Sequence, residues 1–131
     1  MSVPEPRASV STCGPVLIVG TGLLGTSLAL ALRAAGVEVL LSDTSPTSLA
    51  LARDMGAGTL HGEDSPEPQV VVVATPPDVT AEVVVAQLSA HPSAVVTDVA
   101  SVKERVVTEV RSRAGAQARR YVGSHPMAGR E

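Results

Sequence analysis

Short apolar runs along the chain alternate with longer stretches in which apolar and polar positions are mixed, a pattern typical of successive strand and helix pairs. The runs predict strands over Val16 to Val19, Val37 to Leu41, Thr59 to Leu60 (a weak one), Val70 to Ala74, Ala94 to Thr97 and Tyr121 to Gly123. Several of these runs are apolar at each position, as expected when helices cover both faces of a parallel sheet.

The stretches between the strands are long enough for helices, and several carry residues that mark a helix end. They predict helices over Leu23 to Ala35, Pro46 to Met55, Val79 to Ala90 and Val102 to Ala118. The predicted caps are Ser45 followed by Pro46, Asp78, Ser101 in a capping box with Glu104, and Gly36 as a left-handed C-cap. Right-handed crossovers then predict an α/β fold, a doubly wound parallel sheet with strand order 3-2-1-4-5-6.

The length of 131 residues suits one domain, and we expect a flexible tail over residues 1–13 and a single domain over residues 14–131. Trp and Phe are absent and Tyr121 is the only aromatic residue, which argues against binding of single-stranded nucleic acid by base stacking. The net charge of −3 is too small to indicate a polyanion-binding protein. We therefore expect no nucleic-acid partner.

The tail has no apolar core long enough for a signal peptide. The apolar run from Val16 to Leu32 is broken by three glycines, so we expect no membrane span. Cys13 is the only cysteine, which excludes an internal disulfide and a multi-thiolate metal site. We predict no bound metal and a cytoplasmic protein, since a single cysteine fits a reducing compartment.

Charge is distributed unevenly along the chain. Residues 1–102 carry 3 basic and 10 acidic side chains, whereas residues 103–131 carry 7 and 3. The basic end is consistent with an anionic small-molecule substrate. The favoured alternative is that Lys103, Arg105, Arg111 and Arg113 form the solvated face of the last helix.

The first predicted strand is followed directly by a G-x-G-x-x-G motif, with glycines at positions 20, 22 and 25, that opens the first helix. Gly20 permits a tight turn, Gly22 lets the backbone approach a pyrophosphate, and Gly25 lets the helix pack closely on the strand. The free N–H groups and the dipole at the helix N-terminus stabilise phosphate charge. The motif predicts a Rossmann dinucleotide-binding domain in which the turn, with Leu23 and Leu24, contacts the cofactor.

A carboxylate stands at the end of the second predicted strand, where Asp43 lies 21 residues after Gly22. An acid at this place accepts hydrogen bonds from the adenosine ribose and repels the extra phosphate of NADP. Thr44 rather than an arginine follows it, so NAD is the implied cofactor. No Gly-Lys-Ser/Thr follows the glycine turn, which excludes a Walker-type phosphate loop.

Ligands of an open α/β sheet lie beyond the carboxyl ends of its strands, so the segments after the fourth, fifth and sixth strands form the candidate chemical site. After Thr75, the two prolines Pro76 and Pro77 stiffen a loop that could line a nicotinamide pocket, although a plain strand-to-helix connection explains them nearly as well. His125 is either a general base for an alcohol or a structural histidine. We expect His61 and His91 to face solvent.

Two further residues near this edge have competing roles. Ser101 either orients a substrate hydroxyl or His125, or caps the last helix, and both roles can hold together. Asp98 accepts a hydrogen bond in the cleft, pairs with Lys103, or caps a turn. The residues alone do not separate these alternatives.

The segments GTGLLGTSLALAL, TDVASVK and GSHPMAGRE, in this order, resemble the prephenate dehydrogenase family of tyrosine biosynthesis. The resemblance covers residues 16–131. It implies NAD-dependent oxidative decarboxylation of prephenate to 4-hydroxyphenylpyruvate, with arogenate as the related substrate. It also implies that His125 is the base for the ring hydroxyl and that Ser101 positions that hydroxyl and the histidine.

Members of that family continue into a helical domain that forms the homodimer and supplies cationic groups for the substrate carboxylates, whereas this chain stops at Glu131. The resemblance therefore implies a cofactor-binding part, without the helical C-terminal domain, that binds NAD but turns over prephenate poorly or not at all. One alternative is a non-catalytic NAD-binding regulatory module. Another is a different hydroxyacid dehydrogenase, which leaves the Ser101 and His125 segments unexplained.

Overall fold

The strands of this protein form one parallel sheet. A computed structural model describes residues 14–100 and 103–123, and in these residues the chain forms six strands. They are β1 (Val16–Val19), β2 (Val39–Ser42), β3 (Thr59–Leu60), β4 (Val70–Val73), β5 (Val95–Asp98) and β6 (Tyr121–Gly123). Their order is β3-β2-β1-β4-β5-β6, which confirms the predicted doubly wound α/β fold.

Helices connect most of these strands, and the predicted caps of the first two are confirmed. The helices are α1 (Leu23–Ala34), α2 (Pro46–Asp54), α3 (Pro77–Ala90) and α4 (Lys103–Ala114), with a 3-10 helix at Gly115–Arg120. The Oγ of Ser45 accepts a hydrogen bond from the N–H of Ser48 at 3.2 Å, which caps α2. Gly36 has a φ of +87° just after α1, as a left-handed C-cap requires.

Strands β2 and β5 begin later than predicted because the preceding N–H groups close turns instead of pairing. The N–H of Val37 donates to the carbonyl of Leu32 at 3.0 Å and so completes the end of α1. The N–H of Ala94 donates to the carbonyl of His91 at 3.0 Å. Such turn bonds depend on how the helix ends, which apolar periodicity does not report.

Helices α1 and α2 end one residue earlier than predicted, and two other helix ends differ by more. Helix α3 begins at Pro77, with Pro76 at the N-cap, so the prediction of Asp78 as the cap is wrong. Asp78 lies in the first turn, where a carboxylate is favoured by the positive end of the helix dipole. Helix α4 ends at Ala114 because Gly115 adopts a φ of +59°, and the chain continues as the 3-10 helix.

Neighbouring residues of the central strands point to opposite faces of the sheet, and each face is covered by a different pair of helices. On one face Leu17 of β1 packs in a cluster with Val84 of α3 and Val110 of α4. On the other face Ile18 of β1 packs in a cluster with Ala52 of α2. Burial of each large aliphatic side chain contributes about 1.5–3 kcal/mol, which makes this two-sided core the main source of rigidity at the ends of the strands.

The residue at the C-cap of α3 is buried. His91 is only 6% exposed, so the prediction that it faces solvent is wrong. The guanidinium of Arg120 donates to the carbonyls of Leu88 at 2.7 Å and His91 at 3.0 Å, which holds the end of α3 against the 3-10 helix. Nδ1 of His91 lies 3.0 Å from Oε1 of Glu67. His61 is half-buried, with its ring in edge contact with that of His91 at 5.7 Å.

Three further predictions are those of a flexible tail, of no membrane span and of no bound metal. The tail over residues 1–13, with Cys13, lies outside the described residues. Across residues 14–100 and 103–123, no helix has the length and apolar character needed to cross a membrane. In the same residues no group of three His, Cys, Asp or Glu side chains is placed to hold a metal ion.

Candidate dinucleotide-binding site

Two glycines of the G-x-G-x-x-G motif bring strand β1, the turn and helix α1 into close contact. Gly20 has a φ of +109°, and a Cβ at this position would lie 2.5 Å from the carbonyl oxygen of Ala74. A Cβ on Gly25 would overlap the carbonyl oxygen of Gly20. A larger residue at Gly20 would collide with the backbone that follows β4, and one at Gly25 would push α1 away from the end of β1, so both positions require glycine.

Gly22 differs from the other two, because none of the described residues would obstruct a side chain there. No heavy atom lies within 4 Å of the position that its Cβ would occupy. Gly22 is the N-cap of α1, where no side chain caps the free N–H groups of the first turn. A glycine that packing does not require, at an uncapped helix N-terminus, leaves room for an anionic group to approach the backbone.

Asp43 follows strand β2 and faces the glycine turn. Its Oδ2 accepts hydrogen bonds from the N–H of Thr21 at 2.6 Å and from the Oγ1 of Thr21 at 2.7 Å. Its Oδ1 accepts a hydrogen bond from the N–H of Ser45 at 2.8 Å. The parallel pairing of Val19 with Ser42 places the ends of β1 and β2 side by side, which is why the turn and the carboxylate meet.

These hydrogen bonds also set the ionisation of Asp43. Partial burial acts to raise the pKa of the carboxyl group, but the hydrogen bonds from Thr21, Ser45 and Thr44 outweigh it, and the pKa lies below its ordinary value. Asp43 is therefore an anion at neutral pH.

A cleft of about 1070 Å³ opens at this edge of the sheet. The predicted cofactor residues on its walls are Gly20, Gly22, Leu24, Asp43, Thr75 and Pro76. Gly25 is buried behind the turn, and the side chain of Leu23 is 88% exposed. Val79, Val83 and Ala86 of α3 extend the wall as an apolar face.

The walls of this cleft fit a dinucleotide cofactor of the NAD type. The open N-terminus of α1 suits the pyrophosphate, the ionised Asp43 suits ribose hydroxyls, and the apolar face of α3 suits a flat base. The sequence did not indicate the part of α3 that lines the cleft. The pattern of apolar and polar positions along α3 indicates which residues share a helix face. It does not indicate which part of the helix borders the cleft, because the direction of the helix axis is not known from the sequence.

The two predicted catalytic residues, Ser101 and His125, lie outside the described residues, and so does the capping box of Ser101 with Glu104. Their roles stay predictions. Among the described residues, a cluster forms where Asp98 at the end of β5 meets Lys103 of α4 and Tyr121 of β6.

Asp98 is the centre of this cluster and is fully buried. Its Oδ2 lies 2.6 Å from the Nζ of Lys103 and accepts a hydrogen bond from the N–H of Ala100 at 2.9 Å. Its Oδ1 accepts a hydrogen bond from the hydroxyl of Tyr121 at 2.5 Å. Of the alternatives weighed for Asp98, both the pairing with Lys103 and the turn cap are therefore confirmed.

The charges of α4 divide into two groups. Arg105, Arg111 and Arg113 are exposed, as predicted for a solvated face. Lys103 does not belong to that face, because its side chain is only 17% exposed and pairs with Asp98.

Tyr121 was missed as a structural partner, although it is the only aromatic residue of the chain. Burial and the neighbouring Asp98 raise the pKa of its phenol far above the ordinary value, so it acts as a hydrogen-bond donor. The register pairs Asp98 with Gly123, which places Tyr121 two residues away on the same face of the sheet. The strand register, which the sequence alone does not supply, was the missing signal.

Comparison with known proteins agrees with this geometry. Residues 28–131 match a family sequence model described as "Prephenate dehydrogenase, nucleotide-binding domain". The chain is 42% identical over 115 residues to the "Probable prephenate dehydrogenase NovF" of Streptomyces niveus, covering 87% of this chain and 31% of the relative. It is 30% identical over 122 residues to the prephenate dehydrogenase of Lactococcus lactis, covering 87% of this chain and 34% of the relative.

Among solved structures, the arogenate dehydrogenase of Synechocystis superposes with a TM-score of 0.72 at 27% identity, covering 88% of this chain and 42% of that chain. The chain spans about a third of the length of the two curated relatives. What it shares with these proteins is therefore the part that forms the sheet and the cleft.

Proposed function

The chain belongs to the prephenate dehydrogenase family as a nucleotide-binding domain, and from this membership we propose that it holds NAD for the oxidative decarboxylation of prephenate to 4-hydroxyphenylpyruvate. The observation that carries the proposal is the pairing of an open Gly22 at the N-terminus of α1 with an ionised Asp43 across the same cleft. We place the reaction in tyrosine biosynthesis in the cytoplasm.

The preference for NAD over NADP follows from the charge of Asp43. A ribose hydroxyl can donate to the carboxylate, whereas the 2′-phosphate of NADP would place a second anion beside it. The residues on either side, Ser42 and Thr44, are uncharged and supply no compensating cation.

The chemistry itself is assigned to Ser101 and His125. When bound, the nicotinamide supplies the hydride acceptor for the hydroxyl-bearing ring carbon of the substrate, and loss of carbon dioxide leaves an aromatic product. His125 accepts a hydrogen bond from the ring hydroxyl and acts as its base, which an imidazole with a pKa of about 6.5 can do at neutral pH. Ser101 orients the hydroxyl and the histidine.

The relatives are about three times as long as the stretch that this chain matches. We assign the groups that bind the substrate carboxylates, and the contacts of a homodimer, to the other two thirds of a protein of that length. The substrate is a small anionic ring compound, and arogenate is the second candidate because the Synechocystis structure is an arogenate dehydrogenase. The 131-residue stretch then carries the cofactor part of the site, so by itself it should bind NAD without appreciable turnover.

Calorimetric titration of the 131-residue chain with NAD and NADP tests the proposal. We expect NAD to bind at least tenfold more tightly, about 1.4 kcal/mol. In Asp43→Ser the NAD affinity should fall by about tenfold and the preference should nearly vanish, because the ribose acceptor and the repulsive charge are removed together. Absence of NAD binding by the wild-type chain would refute the proposal, and an unchanged preference in Asp43→Ser would remove Asp43 from it.

A further inference from the structure

Thr21 connects the glycine turn to Asp43 and has no part in the function described so far. It is 4% exposed, so its side chain does not face solvent or the cleft. Its hydroxyl and its N–H both donate to Oδ2 of Asp43. Its carbonyl accepts a hydrogen bond from the Oγ1 of Thr26 in α1 at 3.0 Å. Thr21 therefore ties the acid that follows β2 to the first turn of α1.

We propose that Thr21 is a positioning residue whose hydroxyl holds the Asp43 carboxylate in the orientation that selects NAD over NADP. The inference rests on the proposed binding of NAD. It adds a determinant of selectivity that does not itself touch the cofactor.

The hydrogen-bond capacity of the carboxylate supports this role. An ionised carboxylate offers about four lone-pair positions to donors. Thr21 occupies both positions on Oδ2, and the N–H of Ser45 occupies one on Oδ1. Any room for a ribose hydroxyl is therefore on Oδ1, since the N–H of Thr44 also interacts with the carboxylate. The carboxylate cannot rotate without breaking the bond to the Thr21 hydroxyl.

The donors that hold Asp43 are uncharged, which preserves the repulsion on which selection depends. Within residues 14–100 and 103–123, no lysine or arginine forms an ion pair with Asp43. A cation in place of the threonine hydroxyl would fix the carboxylate equally well but would weaken its repulsion of a 2′-phosphate. A threonine fixes the geometry and leaves the charge uncancelled.

Thr21→Val tests the inference, because it removes the hydroxyl and keeps the branched shape and the backbone N–H. Only the N–H of Thr21 then holds Oδ2, so the carboxylate is less firmly fixed in its orientation toward the cleft. We expect the NAD dissociation constant to rise about three- to tenfold, as for partial loss of a charge-assisted hydrogen bond, with the NADP constant unchanged or lower. Thr21→Ser, which keeps the hydroxyl, should restore most of the NAD preference. Calorimetry on the 131-residue chain at fixed pH and salt measures both constants.

Thr26→Val is the matched control, because it removes a hydroxyl that bonds to the same turn but not to Asp43. The ratio of NAD to NADP affinity should stay at the wild-type value. If Thr21→Val weakens both cofactors equally, as general loosening of the turn would, or changes neither, the inference is overturned. Thr21→Ala gives the same readout if the valine variant does not fold. Failure of the wild-type chain to bind NAD would refute the proposed function itself, before any variant is compared.

Discussion

Two carboxylates stand at the carboxyl ends of parallel strands in this protein, and they are held in opposite ways. Asp43, after β2, is half-buried on the wall of the cleft and accepts hydrogen bonds from uncharged groups of Thr21 and Ser45. Asp98, at the end of β5, is fully buried and pairs with the ammonium of Lys103. One keeps its negative charge available at the cleft, and the other has it neutralised within the protein.

This difference indicates that the two halves of the sheet have different roles. Around β1 and β2 the backbone is shaped by glycines and leaves room at the surface for a ligand. Around β5 and β6 the side chains of Lys103 and Tyr121 both donate to Asp98, which joins α4, β6 and β5. At the end of a strand that faces a ligand, some hydrogen-bonding groups are left without a partner in the protein. At the end of a strand that only supports the fold, the polar groups bond to one another.

The variant with the largest expected effect, His125→Asn, tests whether the half of the protein that contains β5 and β6 also provides the catalytic groups. In a protein that includes the substrate-binding part, His125→Asn should lower kcat by about two to four orders of magnitude, as for loss of a general base. The affinity for NAD should stay within about twofold, since the role proposed for His125 is proton transfer and not cofactor binding. Steady-state kinetics with prephenate and with arogenate gives both values.

The control is His61→Asn, which changes a half-buried histidine that no proposed step uses. It should leave kcat unchanged. Full activity in His125→Asn would remove His125 from the chemistry, and the division into a cofactor half and a chemical half would lose its proposed base.

The second effect concerns stability and compares the two carboxylates directly. Asp98→Asn should lower the free energy of unfolding by about 3 kcal/mol, because it leaves the mostly buried ammonium of Lys103 without a counter-charge. The same change at Asp43 should cost about 1 kcal/mol, since neutral donors near solvent lose less. Urea unfolding followed by circular dichroism measures both, and equal losses would contradict the comparison.

The motif around β1 was predictable from the sequence because its determinants are local. The roles of Gly20 and Gly25 follow from the chain geometry of a strand, a turn and a helix within a few residues, and the structure confirms both. The strand order was also predictable, because right-handed crossovers leave few topologies for alternating strands and helices.

The cluster around β5 was only partly predictable because its contacts join distant parts of the chain. Asp98 and Tyr121 meet through the register of β5 and β6, 23 positions apart. His91 is buried, and its carbonyl accepts a hydrogen bond from Arg120, 29 positions later. Residue type and periodicity carry no record of such pairings, so the burial of His91 and the role of Tyr121 had to be read from the structure.

The smallest expected effect is the pH dependence that Asp43 gives to stability. Partial burial raises the pKa of Asp43, but the hydrogen bonds from Thr21, Ser45 and Thr44 outweigh it, so the folded-state pKa lies below the unfolded value of about 3.9. Ionised Asp43 therefore stabilises the fold above that value, and the contribution is lost as the pH falls through the folded-state pKa. Between about pH 6 and pH 2.5, Asp43→Asn should lose less stability than the wild type, by under about 1.4 kcal/mol because the group is partly solvated. Urea unfolding across this range measures the difference. A steeper loss in Asp43→Asn than in the wild type would mean that the donors around Asp43 do not favour its charged form, and the contrast with Asp98 would then lose its basis.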